Sequence, residues 1–364
     1  MFTTRPDEIG KLIEAIDPIR YAKTRNYLDG AVTRLSPYIS RGVISTRQVA
    51  KAVLSKGYTP HEAESFFQEL AWRDYFQQVW IALGDKIDTD IRQAQSNVRS
   101  HEVPVNLITP TTGINAVDEG IQQLYKTGYM HNHMRMYVAS MACHVAQCHW
   151  LLPARWMYYQ LLDADWASNA LSWQWVAGSF SNKKYVANQE NINRYCHTQQ
   201  YDTFLDVPYE AFDQLPIPQI LKETTLPSLK TSLPEARPLV IDASRPVYLY
   251  NFYNLDVHWD EHLAVNRVLL LEPSFFEHYP VCNRTLQFVH DLAANIPGIQ
   301  LYVGEFQELQ HTYKNEFHFK EHPTNRHYQG IEHPREWMFP HLTGYFPSFF
   351  AYWKKSRRLL HELS

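Results

Sequence analysis

The sequence predicts a mainly helical protein that ends in a small α/β domain. Apolar residues recur at helical spacing through the first 200 positions, and short apolar strands with a helix between them occur only beyond position 245. A chain of 364 residues is long enough for two ordinary domains, each with its own core. We therefore predict a helical domain over 1–212, a proline-rich linker over 213–238 and a small α/β domain over 239–364.

The helical prediction depends on start signals, periodicity and glycine stops. Pro6 and Asp7 are typical of a first helical turn. The longer segments are 61–83 before Gly84, 114–127 before Gly128, and 131–150, which we expect to continue into a helix that Pro153 initiates.

The C-terminal part changes in character. Five prolines fall within residues 213–238, which is typical of a linker or an extended strap. The strands predicted after it are 246–253, 267–273 and 299–306, with a helix over 284–295 and a basic amphipathic helix over 348–362.

Composition excludes several classes of protein. The net charge is 34 − 38 = −4, so nucleic acid would have to bind to a local basic patch. We find no apolar run of bilayer length and no signal-peptide core, so we expect a cytoplasmic protein away from membranes. Since the four cysteines form no CxxC pair, we expect neither a disulfide framework nor a metal site. The aromatic content of 14% needs a rich core, a stacking surface or a cofactor pocket.

The first chemically suggestive cluster is the run Thr33-Arg34-Leu35-Ser36-Pro37-Tyr38. Ser36 followed by Pro37 suits an N-cap and the first helical position. Hydroxyls, free backbone N–H groups and a guanidinium together could hold a pyrophosphate. The alternative is an ordinary helix start.

The second cluster lies in the segment 61–83. Phe66, Glu69, Trp72 (or Arg73) and Phe76 share one face of the predicted helix. A carboxylate, an indole and a guanidinium among apolar neighbours would suit a flat polar ligand. The alternative is a solvated Glu69–Arg73 pair within the helix.

The third cluster spans Met130–Met136, where Asn132, Arg135 and Met136 project together. Its two histidines are two positions apart and point to different helix faces, which disfavours a metal site.

The fourth cluster combines Asp163, Asp165 and Asn169 with three nearby tryptophans. The alternative for either aspartate is a helix cap.

In this order, the four clusters resemble the FAD-binding helical domain of the DNA photolyase/cryptochrome family. The resemblance runs from about Tyr21 to Trp175. It rests on TRLSPY (33–38), ELAWRD (69–74), TGYMHNHMRM (127–136), LLDADWASN (161–169) and WQW (173–175). It implies a U-shaped FAD inside a helical cage.

The resemblance also implies a set of cofactor-binding residues. Arg135 and Asp163 would form an ion pair over the isoalloxazine, Asp165 would help to fix the ring, and Asn169 would face its N5 atom. The phosphates would be held by Tyr21, Thr33, Arg34, Leu35 and Ser36, and the set is completed by Phe66, Arg73, Asn132 and Ala164.

The implied activity is that of a deoxyribodipyrimidine photo-lyase, in which light-excited reduced FAD donates an electron to a pyrimidine dimer in DNA. Glu69, Trp72, Asn132 and Met136 match the pocket for the flipped lesion. The (6-4) photolyases have histidines where this chain has Asn132 and Met136, so the implied lesion is the cyclobutane dimer. The residues expected to contact DNA are Trp72, Arg73, His133, Trp175, Lys183 and Lys184.

The sequence also departs from the family pattern. Trp173 and Trp150 match the inner two of three electron-transferring tryptophans, but the third position falls near Leu107. Trp156, Tyr158 or Tyr159 could substitute for it. His133 stands where the family often has a DNA-contacting arginine.

We expect no N-terminal antenna domain, because the resemblance begins close to the start of the chain. The C-terminal segment resembles that antenna fold at the other end of the chain, without a Gly-rich nucleotide loop. A packing role or a protein partner is therefore as consistent with this segment as a chromophore. The alternatives to repair are a cryptochrome-like blue-light photoreceptor and a DNA- or partner-binding protein that uses flavin structurally.

Overall fold

The computed structural model describes residues 2–181 and 183–363, so Met1, Asn182 and Ser364 lie outside the described residues. Helices α1 to α5 are Pro6–Glu14, Pro18–Thr24, Ser36–Ser40, Thr46–Ser55 and Glu64–Leu83. Helices α6 to α11 are Val105–Ile108, Asn115–Thr127, Asn132–Ser140, Leu151–Gln160, Trp166–Ala177 and Gln189–Cys196. Helices α12 to α15 are Pro273–His278, Asn283–Ala293, Phe306–Thr312 and Phe349–Ser356.

The strands are β1 (Val103–Pro104), β2 (Thr224–Thr225), β3 (Val247–Tyr250), β4 (Asn266–Leu271), β5 (Ile299–Val303), β6 (Phe317–Lys320) and β7 (Ile331–His333). Helical turns of the 3₁₀ type lie at Gly84–Asp88, Tyr209–Gln214, Gln219–Leu221, Pro323–Asn325 and Arg357–Leu363. These elements confirm the mainly α class with an α/β part.

The chain forms two compact units, each assembled from separate stretches of sequence. Unit 1 comprises Met1–Ile19, Thr33–Ala82 and Lys230–Ser364, and unit 2 comprises Arg20–Val32 and Leu83–Leu229. Both units are built from alternating stretches of the chain. The proline-rich linker over 213–238, between a domain over 1–212 and one over 239–364, stays a prediction.

Unit 1 contains a five-stranded parallel sheet in the order β5-β4-β3-β6-β7. Every residue of β3 and β4 is buried, which is typical of a parallel sheet that is covered on both faces. One face packs Leu249, Val268 and Phe319 against Phe306 of α14. The predicted strands 246–253, 267–273 and 299–306 correspond to β3, β4 and β5, whereas β6 and β7 were not predicted.

Helix α5 is buried on several sides within unit 1, and the segment after the sheet packs along it. The amide of Met338 donates to Asp74 at 2.8 Å, and that of Gly344 donates to Gln78 at 2.9 Å. The predicted basic helix 348–362 is α15 followed by the 3₁₀ turn Arg357–Leu363.

In unit 2, α7 ends as predicted, with Gly128 in the left-handed region at φ 72°. The prediction of one continuous helix over 131–150 is wrong. Helix α8 passes into a π-helical turn at Met141–Val145, and Gln147 has a φ of 53°, which ends the helical path. The chain re-enters a helix at Leu151, so Pro153 lies in the first turn of α9 and does not start it.

Among residues 2–181 and 183–363, no helix combines the length and apolarity needed to cross a bilayer. Over the same residues, no group of three His, Cys, Asp or Glu side chains is placed to hold a metal ion. All four cysteines carry free thiols, and Cys143 and Cys148 are buried.

Candidate functional site

Arg135 and Asp163 form a two-pronged ion pair inside unit 2. Arg135 Nη2 lies 2.9 Å from Asp163 Oδ2, and Nη1 lies 3.3 Å from Oδ1. The guanidinium also donates through Nε to the carbonyl of Met130 at 2.9 Å. The carboxylate side chain is only 6% exposed, so its charge is held in place by a fixed guanidinium.

Asp165 begins α10 as its N-cap. Its Oδ1 accepts the backbone N–H of Ser168 at 3.1 Å, so the helix-cap alternative holds for Asp165. One turn later, the buried Asn169 donates through Nδ2 to the carbonyl of Ala154 at 2.8 Å. Because Nδ2 is occupied in this way, the orientation of the Asn169 amide is fixed. Ala164, between the two aspartates, is fully buried.

Two buried polar atoms on α10 have no hydrogen-bond partner within the described chain: Trp173 Nε1 and Ser168 Oγ. A buried polar group without a partner costs about 1–3 kcal/mol. Both atoms could be satisfied by the carbonyl oxygens and nitrogens of a flat heterocycle. These two groups, on the helix that follows Asp163 in the sequence, therefore fit a flavin ring in their chemistry.

The residues of the third cluster have different environments. Asn132 is exposed at the start of α8, and Met136 is half-buried one turn later. His133 is buried: its Nδ1 lies 2.8 Å from the carbonyl oxygen of Asn26, and its Nε2 lies 3.1 Å from the Tyr185 hydroxyl. Burial lowers the pKa of His133, so its ring is neutral and turned away from solvent.

Trp150 and Trp173 of unit 2 are deeply buried. Trp150 is fully buried and donates its indole N–H to Asp90 Oδ1 at 2.8 Å, and Trp173 is 2% exposed. Leu107, at the position expected for a third tryptophan, is also fully buried. Of the suggested substitutes, Trp156 and Tyr158 are buried, and Tyr159 is half-buried.

Two carboxylates that bind these indoles were missed by the sequence analysis. Asp90 accepts from Trp150, and Asp88 accepts from Trp166 at 2.7 Å. Each aspartate lies 60 or more positions from its indole, and no local pattern marks such a pair.

In unit 1, the second cluster lies on α5. Phe66 is buried, whereas Glu69, Trp72 and Arg73 are half-buried. Arg73 donates through Nη2 to the hydroxyl of Ser40.

Trp72 is covered on one face. Its ring stacks on Phe349 of α15 with the ring centroids 3.7 Å apart and the planes 9° apart. Phe349 itself is 3% exposed, so this stack is part of the core of unit 1.

The cluster predicted to bind phosphates begins its helix one position earlier than predicted. The N-cap of α3 is Leu35, which has helical dihedral angles, so Ser36 is the first helical residue and Pro37 the second. The predicted Ser36 cap is therefore wrong. Thr33 Oγ1 accepts the N–H of Leu35 at 3.4 Å, and Arg34 has a φ of 55°. Tyr21 lies on α2 and is half-buried.

The predicted DNA-contacting residues in the last turn of α10 and after it are exposed. The Trp175 ring is 37% exposed and lies 5.9 Å from that of Tyr185. Lys183 and Lys184 are exposed, and Lys184 Nζ lies 3.6 Å from Asp213. They form a small basic and aromatic patch on unit 2.

Residues 66–205 match the protein family described as the FAD binding domain of DNA photolyase. The chain is 35% identical over 148 residues to a deoxyribodipyrimidine photo-lyase of Alkalihalophilus pseudofirmus, covering 40% of this chain and 31% of that protein. It is 32% identical over 190 residues to a chloroplastic/mitochondrial cryptochrome DASH of Ostreococcus tauri, covering 50% of this chain and 34% of that protein.

Among solved structures, a class III photolyase of Agrobacterium tumefaciens aligns with a TM-score of 0.42 and 27% identity, over 52% of this chain and 41% of that one. The chain spans about a third of the length of the two curated relatives named above. Taken with the helical scaffold, the family match makes residues 66–205 a flavin-binding domain. This part of the chain is similar to the photolyase/cryptochrome family.

Proposed function

We propose that this protein uses FAD and blue light to split cyclobutane pyrimidine dimers in DNA. The observation that carries the proposal is the buried ion pair of Arg135 and Asp163, close in sequence to the partnerless donor Trp173 Nε1. Relatives named deoxyribodipyrimidine photo-lyase, 31–35% identical to this chain, support the same activity. We propose a cytoplasmic location for this activity.

When bound, FAD supplies the light absorption and the electron that opens the dimer. The chain's own residues bind and orient the reactants. Arg135 and Asp163 would hold the ring system, and Asn169 would present its amide to the ring. Burial of Asp163 and Asn169 excludes water from these contacts.

The lesion would be held by residues of a different character. We assign Trp72 to stack on the extruded bases and Glu69 to hydrogen-bond their edges. A damaged dimer stacks poorly in the duplex, which lowers the cost of extruding it. The DNA backbone would be contacted by Lys183 and Lys184, a small basic patch on an otherwise acidic protein, together with Trp175.

One observation favours a second function. Phe349 occupies the stacking position on one face of Trp72, so this chain already supplies a ring where a base would lie. A cryptochrome-like photoreceptor would need FAD but no lesion pocket. It could signal to a protein partner through the α/β part of the chain.

The deciding experiment uses purified protein with chemically reduced FAD and an oligonucleotide that carries one cyclobutane thymine dimer. Under blue light, we expect thymine absorbance to return, with no return in darkness or in the flavin-free protein. Dimers that persist while FAD is bound and photoreducible would overturn the repair function and support the photoreceptor.

A further inference from the structure

Asp90 holds the indole of Trp150 by a direct hydrogen bond. Trp150 Nε1 donates to Asp90 Oδ1 at 2.8 Å, and the second carboxylate oxygen accepts the amide of Gln95 at 2.8 Å. The Gln95 side chain in turn accepts the backbone N–H of Trp150 at 2.9 Å. The carboxylate is thus fixed against the only N–H bond of the indole ring.

His149 lies between this carboxylate and the exposed side chain of His101. His149 Nε2 lies 3.4 Å from Asp90 Oδ1, while its Nδ1 accepts the N–H of Leu151 at 3.3 Å, so a neutral His149 carries its proton on Nε2. Burial lowers the pKa of His149, which favours this neutral form. The ring of the exposed His101 stacks on His149 with the centroids 4.9 Å apart. Asp90 Oδ1 therefore lies between the indole N–H of Trp150 and the imidazole of His149.

A second indole–carboxylate pair in the same unit provides a contrast. Trp166 Nε1 donates to Asp88 Oδ1 at 2.7 Å, but Asp88 Oδ2 also lies 2.9 Å from the guanidinium of Arg155. An ion-paired carboxylate is a weaker base, because the guanidinium stabilises its charged form. The Asp88 pair is accordingly suited to a structural role.

We propose that Asp90 accepts the indole proton of Trp150 when Trp150 is oxidised. The inference rests on the proposed function and on the electron path that the family resemblance implies, from Trp150 by way of Trp173 to the bound flavin. An indole that has lost one electron is strongly acidic at its N–H. The N–H bond of Trp150 breaks, its proton bonds to Asp90 Oδ1, and a neutral indolyl radical remains, while the electron goes to light-excited oxidised flavin.

This proton transfer would slow the return of the electron from the flavin to Trp150, in a chain that lacks the third tryptophan of the family pattern. Before it, the positive charge on Trp150 draws the electron back from the flavin. After it, both Trp150 and Asp90 are neutral, so the return of the electron requires the proton to return as well. In this chain, which has Leu107 at the position of the third tryptophan, a proton acceptor beside Trp150 would thereby take the place of a further electron transfer.

The test is flash photolysis of the holoprotein with oxidised FAD and without DNA, read by the transient absorption of tryptophan radicals. The neutral radical and the cation radical have different spectra, so the protonation state is observed directly. We expect the neutral radical in the wild-type protein. In Asp90→Asn we expect the cation radical and an electron return faster by about tenfold or more. The matched variant Asp88→Asn should behave as the wild-type protein does.

Three results would overturn the proposal: a persistent cation radical in the wild-type protein, a neutral radical that forms equally fast in Asp90→Asn, or an unchanged transient in Trp150→Phe. The first needs no variant, so it stands even if a substitution impairs folding. Failure of dimer repair would overturn the proposed function alone, because this measurement uses no DNA.

Discussion

The indole of Trp72 lies flat on the ring of Phe349, with the centroids 3.7 Å apart and the planes 9° apart. The two residues are far apart in sequence, on α5 and on the C-terminal helix α15. Arg357, directly after the last residue of α15, lies 2.9 Å from Glu64 at the start of α5, and this ion pair joins the two helices. The C-terminal segment thus covers the aromatic residue that the repair function assigns to the lesion.

Removing this cover should expose Trp72 to a ligand. If Trp72 receives the lesion, Phe349→Ala should tighten binding of dimer-containing oligonucleotide, measured by fluorescence anisotropy. The same change should lower the free energy of unfolding by about 3 kcal/mol, since a buried ring is lost. The neighbouring Phe350, 72% exposed, provides the control: Phe350→Ala should change stability by less than about 0.5 kcal/mol. Weaker lesion binding by Phe349→Ala would show that the stack supports the pocket.

Asp163→Ala should abolish flavin binding. The change leaves the Arg135 guanidinium without its two-pronged partner, and breaking such a buried pair costs about 3–5 kcal/mol. The FAD content of the purified variant, read from its visible absorbance, is the measurement. Asp7→Ala, which breaks a largely exposed pair with Arg5, should leave FAD content unchanged. Full flavin content in Asp163→Ala would contradict the assignment of this pair to the ring.

Glu69→Ala should separate lesion chemistry from cofactor binding. The carboxylate is half-buried on α5, and the loss of its hydrogen bonds to the bases should lower the repair rate by about tenfold or more. FAD content should stay at the wild-type level. Gln68→Ala, the adjacent half-buried position, serves as the control. Unchanged repair in Glu69→Ala would remove Glu69 from the pocket.

Asp74 should make stability depend on pH in mildly acidic solution. Burial raises the pKa of this carboxyl to about 6, against hydrogen bonds from Thr46 and Met338 that lower it. The folded state therefore holds a proton that the unfolded state releases from about pH 4 upward. The free energy of unfolding should fall by about 3 kcal/mol between about pH 4 and about pH 6. Urea denaturation of wild type and Asp74→Asn across this range measures it, and equal slopes in the two proteins would contradict it.

Lys183 and Lys184 should contribute to DNA affinity without sequence preference. Replacing either with alanine should reduce the slope of log affinity against log salt concentration by about one. Lys126, an exposed lysine on α7 of the same unit, is the control, and Lys126→Ala should leave the slope unchanged. Equal slopes in all three variants would remove this patch from the DNA-binding surface.

Local signals in the sequence predicted much of the scaffold. Gly128 ends α7 because only a left-handed residue closes that turn easily, and this preference is readable without the fold. The strands β3, β4 and β5 are likewise marked by apolar runs. The break after α8 was not readable, because a π-helical turn and a positive φ at Gln147 depend on neighbours that the local pattern does not name.

The candidate site, like the scaffold, was predicted from the sequence only in part. The sequence by itself determined the residue types and their order, from the Thr33–Ser36 run to Asp163 and Asn169. The family resemblance was recognised from these residue types and their spacing alone. Only the tertiary structure decided which partners these residues meet. The Asp90–Trp150 bond and the Trp72–Phe349 stack join residues 60 and 277 positions apart, and such contacts arise from packing, which no local periodicity encodes.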